Sequence, residues 1–184
     1  MSDDSDDGGT LGRRHLLAGL VGTGLVGAGA VGSGVVDVGS KSGAHLPVEV
    51  TTLDAVGSTA GTQQVPAAGT PTLIDCFATW CGPCIEQMDS LGTAYDRYGD
   101  EVAFVSVTNE RFGGGLDADD VRAWWRDNDG RWTLGHDPEG DLLAALGASG
   151  LPYLALTDAE GSVVWTHGGV ASAETLDREI SSVV

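Results

Sequence analysis

A chain of 184 residues holds one domain plus a leader segment, and 27 acidic against 9 basic residues give a formal net charge of -18. That balance excludes the basic patches nucleic-acid binding needs, so no nucleic-acid partner is expected. The acidic residues are scattered among five tryptophans and several apolar runs, which reads as a packed core under an acidic surface, not an acidic disordered tail; such a surface predicts a halophilic source, where salt screens its self-repulsion.

Residues 1–9 are polar and Asp-rich. Arg13 and Arg14 then precede residues 16–36, an uncharged stretch diluted by glycine. A basic pair ahead of a moderately apolar run reads as an export signal of the twin-arginine type. Ala28-Gly29-Ala30 offers a cleavage site, although about 20 uncharged residues would also serve as a retained membrane anchor. The expected organisation is a signal or anchor over 1–37, a Gly/Ser-rich linker over 38–46, and one domain over 47–184. The protein is therefore expected outside the cytoplasm, secreted or held by its N-terminal segment.

Val48, Val50 and Leu53 among threonines predict a strand, and 57–69 reads as loop. Pro71 opens an apolar strand from Thr72 to Phe77. Next come Trp80-Cys81-Gly82-Pro83-Cys84 and a helical stripe of Ile85, Met88, Leu91, Tyr95 and Tyr98. Two thiols at C-x-x-C spacing on a helix's first turn can close into a disulfide and reopen. Cys81, at or just before the N-cap, lies near unpaired N–H groups and the positive end of the helix dipole, which favour its thiolate. Cys81 is thus the expected attacking sulfur and Cys84, one turn further in, the resolving one. Pro83 loses nothing in the first turn, and Gly82 leaves the backbone bare for an approaching partner. A structural zinc site would need two further ligands, and none stands at ligand spacing, so no metal is expected. Cys76, left odd, reads as a small buried hydrophobe.

Residues 102–107 predict a second buried strand. Asp117 should cap a helix to about Asn128, with Val121, Trp124 and Trp125 inward. Residues 132–136 read as a short extended stretch. Asp137-Pro138 should cap a helix carrying Leu142, Leu143 and Leu146, ended by Gly147. Residues 153–156 and 163–165 pair around a turn at 158–161 as a hairpin. Ser172 should cap a last helix bearing Leu176, Ile180 and Val183. Gly113-Gly114-Gly115 is no phosphate loop, because no Lys-Ser/Thr follows; no cofactor is expected.

Trp80-Cys81-Gly82-Pro83-Cys84 matches the active-site pentapeptide of thioredoxins, and Asp75 matches their buried acid. From about residue 47 to the C-terminus the chain resembles the TlpA/ResA-like thiol-disulfide oxidoreductases of the thioredoxin superfamily. The resemblance implies an α/β three-layer sandwich: a mixed central sheet flanked by helices, with an N-terminal strand extension. It also implies a cis-proline opposite the dithiol, for which Pro152 is the candidate, with Leu151 giving backbone contacts to substrate and Trp80 shielding the sulfurs. Asp75 would take the proton of Cys84. The implied partners are extracytoplasmic proteins with disulfides, such as apocytochrome c or oxidase copper-site proteins, and a membrane electron donor. The protein itself is expected to be a monomer and to act as a reductant. The alternative is a Cu(I)-binding protein using Cys81 and Cys84, with Met88 as the only methionine within a turn.

Overall fold

The computed structural model describes residues 45–184, so the expected signal or anchor and nearly all of the linker lie outside the described residues. Strands β1 (Val48–Thr52), β2 (Gly61–Val65) and β3 (Thr72–Phe77) are followed by helix α1 (Gly82–Tyr98) and β4 (Ala103–Thr108). Next come α2 (Ala118–Asp127), β5 (Thr133–His136), α3 (Asp141–Leu146), β6 (Tyr153–Thr157), β7 (Val163–Gly168) and α4 (Ala173–Ile180). The strands form one seven-stranded sheet in the order β2-β1-β5-β4-β3-β6-β7. β3, β4 and β5 run parallel, and every other neighbouring pair is antiparallel. This is the mixed α/β sheet that the sequence predicts, with β1 and β2 as its N-terminal extension.

β3 lies at the centre, and all six of its residues are buried. Alternation along a strand sends its side chains to two layers. Leu73 and Phe77 join the cluster formed with Met88 and Leu91 of α1, Val121 and Trp125 of α2, and Leu176 and Ile180 of α4. Ile74 and Cys76 join the opposite cluster, with Leu142 and Leu146 of α3. Asp75, between Leu73 and Phe77, therefore shares their face under α1, whereas Cys76 points to the α3 side.

Local chemistry sets the helix ends. Asp117 accepts from the N–H groups of Asp119 and Asp120, and Asp120 reciprocates by accepting from the Asp117 N–H, a capping box. Ser172 caps α4 through the Thr175 N–H. Gly147 ends α3 at φ 67°, a left-handed position where a Cβ is disfavoured.

Three expectations are corrected. Residues 57–69 are not all loop, because 61–65 form β2. Its Gly-Thr-Gln-Gln-Val sequence has no apolar alternation, and pairing with β1 along the sheet edge makes it a strand. Ile85 is not on the core stripe of α1; it is 47% exposed. The buried line is Cys84, Gln87, Met88, Leu91, Ala94 and Tyr98, so the inward-facing Cys84 sets the helix phase. The N-cap of α3 is Gly140, not Asp137; Asp137 reaches past it to accept from the Leu142 N–H at 2.8 Å.

Gln87 is fully buried on α1 and fastens the segment leading into α4. Its amide donates to the Ala171 carbonyl at 3.2 Å and accepts from the Ala171 N–H at 2.7 Å. Gln87→Leu keeps the volume but strands both backbone groups, so unfolding in urea should show a loss of about 2–4 kcal/mol. A variant as stable as the wild type would mean that this pair contributes nothing.

Candidate active site

The end of β3, the turn at 78–81 and the first turn of α1 place the dithiol. Cys81 is the N-cap of α1, in extended conformation, and its side chain makes no cap hydrogen bond. The Cys81 N–H donates to the Ala78 carbonyl and the Cys84 N–H to the Cys81 carbonyl, both at 3.1 Å. Cys81 and Cys84 are joined in a disulfide, with Cα atoms 5.3 Å apart. Cys81 is 4% exposed and Cys84 1%, so of the two sulfur residues Cys81 is the nearer to solvent. Beside them Trp80 is 74% exposed, and Gly82 and Pro83 are also open. A Cβ added at Gly82 would meet nothing within 4 Å, so the protein leaves that approach clear.

Asp75 lies buried on the same sheet face as the α1 packing. Burial pushes its carboxyl from 3.8 up to about 7, against the lowering effect of a hydrogen bond from Ser106. That bond, from Ser106 Oγ to Asp75 Oδ2, is 2.8 Å long. Asp75 and Ser106 are register partners on the parallel pair β3 and β4, which is why they meet. Ser106 Oγ in turn accepts from the indole Nε1–H of Trp132 at 2.9 Å. The second oxygen, Asp75 Oδ1, is buried without a hydrogen-bond partner among the described residues. Sequence reasoning missed both Ser106 and Trp132. The available signal was a lone hydroxyl interrupting the apolar run at 102–107.

It also missed Glu110, which follows β4. Its carboxylate accepts from the Thr79 N–H at 2.7 Å and from the Thr79 hydroxyl at 2.8 Å, and the Thr108 hydroxyl donates to it at 3.1 Å. Thr79 directly precedes Trp80, so Glu110 pins the turn that carries the dithiol. Glu110→Ala should lower stability by about 2 kcal/mol, the scale of hydrogen bonds to a charged acceptor. It should also speed amide hydrogen exchange at Thr79 and its neighbours. Unchanged exchange at Thr79 would show that the turn holds itself.

Pro152 immediately precedes β6. Antiparallel pairing sets Asp75 opposite Leu154 and Cys76 opposite Tyr153. One further step brings Pro152 to the end of β3 from which the dithiol turn departs. The Leu151–Pro152 peptide is cis, as are Leu46–Pro47 and Val65–Pro66. The Pro152 carbonyl already accepts from the Gly169 N–H at 2.9 Å. Leu151 is half-buried and packs against the clusters on both faces.

Cys76 is a free, buried cysteine. Burial, with the nearby charges of Asp75 and Asp137, pushes its thiol far up and keeps it protonated. Met88 is buried in the α1 cluster. Among the described residues no group of three or more His, Cys, Asp or Glu side chains is placed to hold a metal ion.

A family model described as Redoxin matches residues 41–183. The chain belongs to the Redoxin family. The thiol-disulfide oxidoreductase ResA of Bacillus thuringiensis subsp. konkukian is 23% identical over 119 residues, which span 62% of this chain and 64% of ResA. Chloroplastic thioredoxin Y of Oryza sativa subsp. japonica is 36% identical over 42 residues, 23% of this Redoxin-family chain and 25% of thioredoxin Y. The match thus spans less than two thirds of either relative. The crystal structure of StoA from Bacillus subtilis shares the fold with a TM-score of 0.59 at 20% identity, covering 72% of this chain and 96% of StoA.

Proposed function

We propose that this protein is a thiol-disulfide oxidoreductase that reduces disulfides in extracytoplasmic proteins through Cys81 and Cys84. The observation that carries the reading is a dithiol that closes at a helix N-cap on the sheet face holding a buried carboxyl of raised pKa. The similarity to ResA supports the same chemistry.

In the proposed cycle the Cys81 thiolate attacks one sulfur of the partner's disulfide. That S–S bond breaks, a Cys81–partner bond forms, and the partner's other sulfur leaves as a thiolate that takes a proton. Cys84 then gives its proton to Asp75 while its sulfur attacks Cys81. The mixed disulfide breaks, the partner leaves with both sulfurs reduced, and Cys81–Cys84 closes. Two electrons have passed to the partner, and a dithiol donor must return them. Trp80, Gly82 and Pro83 would form the contact surface, and Leu151 would offer its backbone to an extended substrate segment as an added strand does.

The export assignment rests on Arg13-Arg14 and the uncharged stretch behind them, both outside the described residues; within those residues no helix is long and apolar enough to cross a membrane. Apocytochrome c and oxidase copper-site proteins are the substrate classes that the family resemblance implies, with a membrane carrier as donor. The test is insulin disulfide reduction driven by dithiothreitol, run beside a Cu(I) titration. Catalysed reduction without tight copper binding supports the proposal; tight copper binding without catalysis sinks it.

A further inference from the structure

We infer that Ser106 and Trp132 are positioning residues that hold one oxygen of Asp75 as a fixed acceptor and reserve the other, Oδ1, for the proton taken from Cys84. This rests on the reading of Asp75 as the proton acceptor in the cycle above. An indole N–H can only donate. Trp132 Nε1 donates to Ser106 Oγ at 2.9 Å, so the hydroxyl hydrogen of Ser106 is turned toward Asp75 Oδ2, 2.8 Å away. Oδ2 is then occupied as an acceptor whether or not the carboxyl is charged. A proton arriving at Asp75 has one oxygen left to bind, the buried Oδ1, which has no partner among the described residues.

The relay is rigidly seated. Ser106 is fully buried on β4, and Trp132, itself 3% exposed, lies against Tyr95, Phe104 and Trp125. The other groups around Asp75 do not compete. β6 places Leu154 opposite it, and in the oxidised pair seen here the α1 cysteines are tied in their disulfide and carry no proton. Cys76 lies in the cluster on the opposite face of β3, where the charge of Asp137 reaches it. Ser106 is the only side chain hydrogen-bonded to Asp75 among the described residues. The relay therefore has a specific electrical consequence: its hydrogen bond favours the charged carboxylate and restrains a rise that burial alone would carry further.

The test is a carboxyl ¹³C NMR titration of Asp75 in the full chain, with Asp75→Asn to assign the signal. Ser106→Ala should move the midpoint up by about one pH unit, the scale of one hydrogen bond to a charged group. Trp132→Phe should move it the same way by roughly half as much, because the hydroxyl is then free to turn elsewhere. Ser106→Thr should restore it. A Ser106→Ala midpoint within about 0.3 units of wild type overturns the inference. If that variant does not fold, an unmoved midpoint in Trp132→Phe does the same. The titration needs no turnover: a wild type inactive on insulin sinks the oxidoreductase reading and with it the Cys84 proton, while a shifted midpoint still shows the hydrogen bonding at Asp75; an unmoved midpoint with full turnover sinks the relay alone.

Discussion

Cys81→Ser should reduce insulin no faster than dithiothreitol alone, whereas Cys84→Ala should stop after the first step and accumulate as a covalent adduct with its partner. The asymmetry follows from position. Cys81 occupies the N-cap of a 17-residue helix and is the more exposed member of the pair. The N–H groups at that helix end stabilise its thiolate. Cys84 is buried one turn inside, the position proposed for the resolving sulfur. Both variants lose the bridge and should lose a similar amount of stability, so melting curves separate the chemical effect from the structural one. Cys81→Ser trapping partners while Cys84→Ala does not would reverse the assigned roles, and equal trapping would erase the asymmetry. Adducts of Cys84→Ala collected from the native host would identify the substrate by its mass.

Asp75→Asn should be slower and yet more stable at alkaline pH. The wild-type carboxyl sits at about 7 when folded against 3.8 as its ordinary value, because burial disfavours its charge. The folded state therefore binds this proton more tightly than the unfolded chain does. The associated stability is fully present below about pH 4 and declines as pH rises through about 7. A gap of about three units corresponds to roughly 4 kcal/mol, which is a ceiling for the effect. Urea denaturation across that window should show wild type losing stability relative to Asp75→Asn, with the two diverging by a few kcal/mol near pH 8. Over the same range the variant should turn over about 10²-fold more slowly near neutrality, the usual scale for loss of a general base. Its deficit should shrink as pH rises, because Cys84 then loses its proton to hydroxide. Parallel stability profiles would mean that Asp75 is not titrating in the core. A variant with full turnover would remove it from the proton path.

These two variants probe features that differ in how they can be read. The dithiol, the helix it caps and the buried strand before it are all local. A mostly apolar run from Thr72 to Phe77, then C-x-x-C with proline in the first turn, specify strand, turn and helix through short-range sterics and capping. The Asp117 and Ser172 caps were legible for the same reason. Ile85 was misplaced because a stripe of apolar residues defines a helix face only to within a turn's fraction, and the packing of Cys84 rotated it. β2 was missed because a polar edge strand carries no periodic signal of its own and takes its shape from a neighbour.

The sequence by itself determined the Cys81–Cys84 pair and its place at a helix start, because spacing along one chain fixes which groups share a helix turn, and the match of Asp75 to the thioredoxin pattern marked a candidate acid on the preceding strand. Only the tertiary structure decided what surrounds them. Ser106 and Glu110 lie 31 positions after Asp75 and Thr79 respectively, and Trp132 lies 26 after Ser106. These partners meet because parallel pairing of β3 with β4 and of β4 with β5 brings distant segments to one level. Hydrogen bonds depend on atomic separation in space, and outside the β6–β7 hairpin, whose turn is local, no short pattern along the chain encodes which strand will lie beside which.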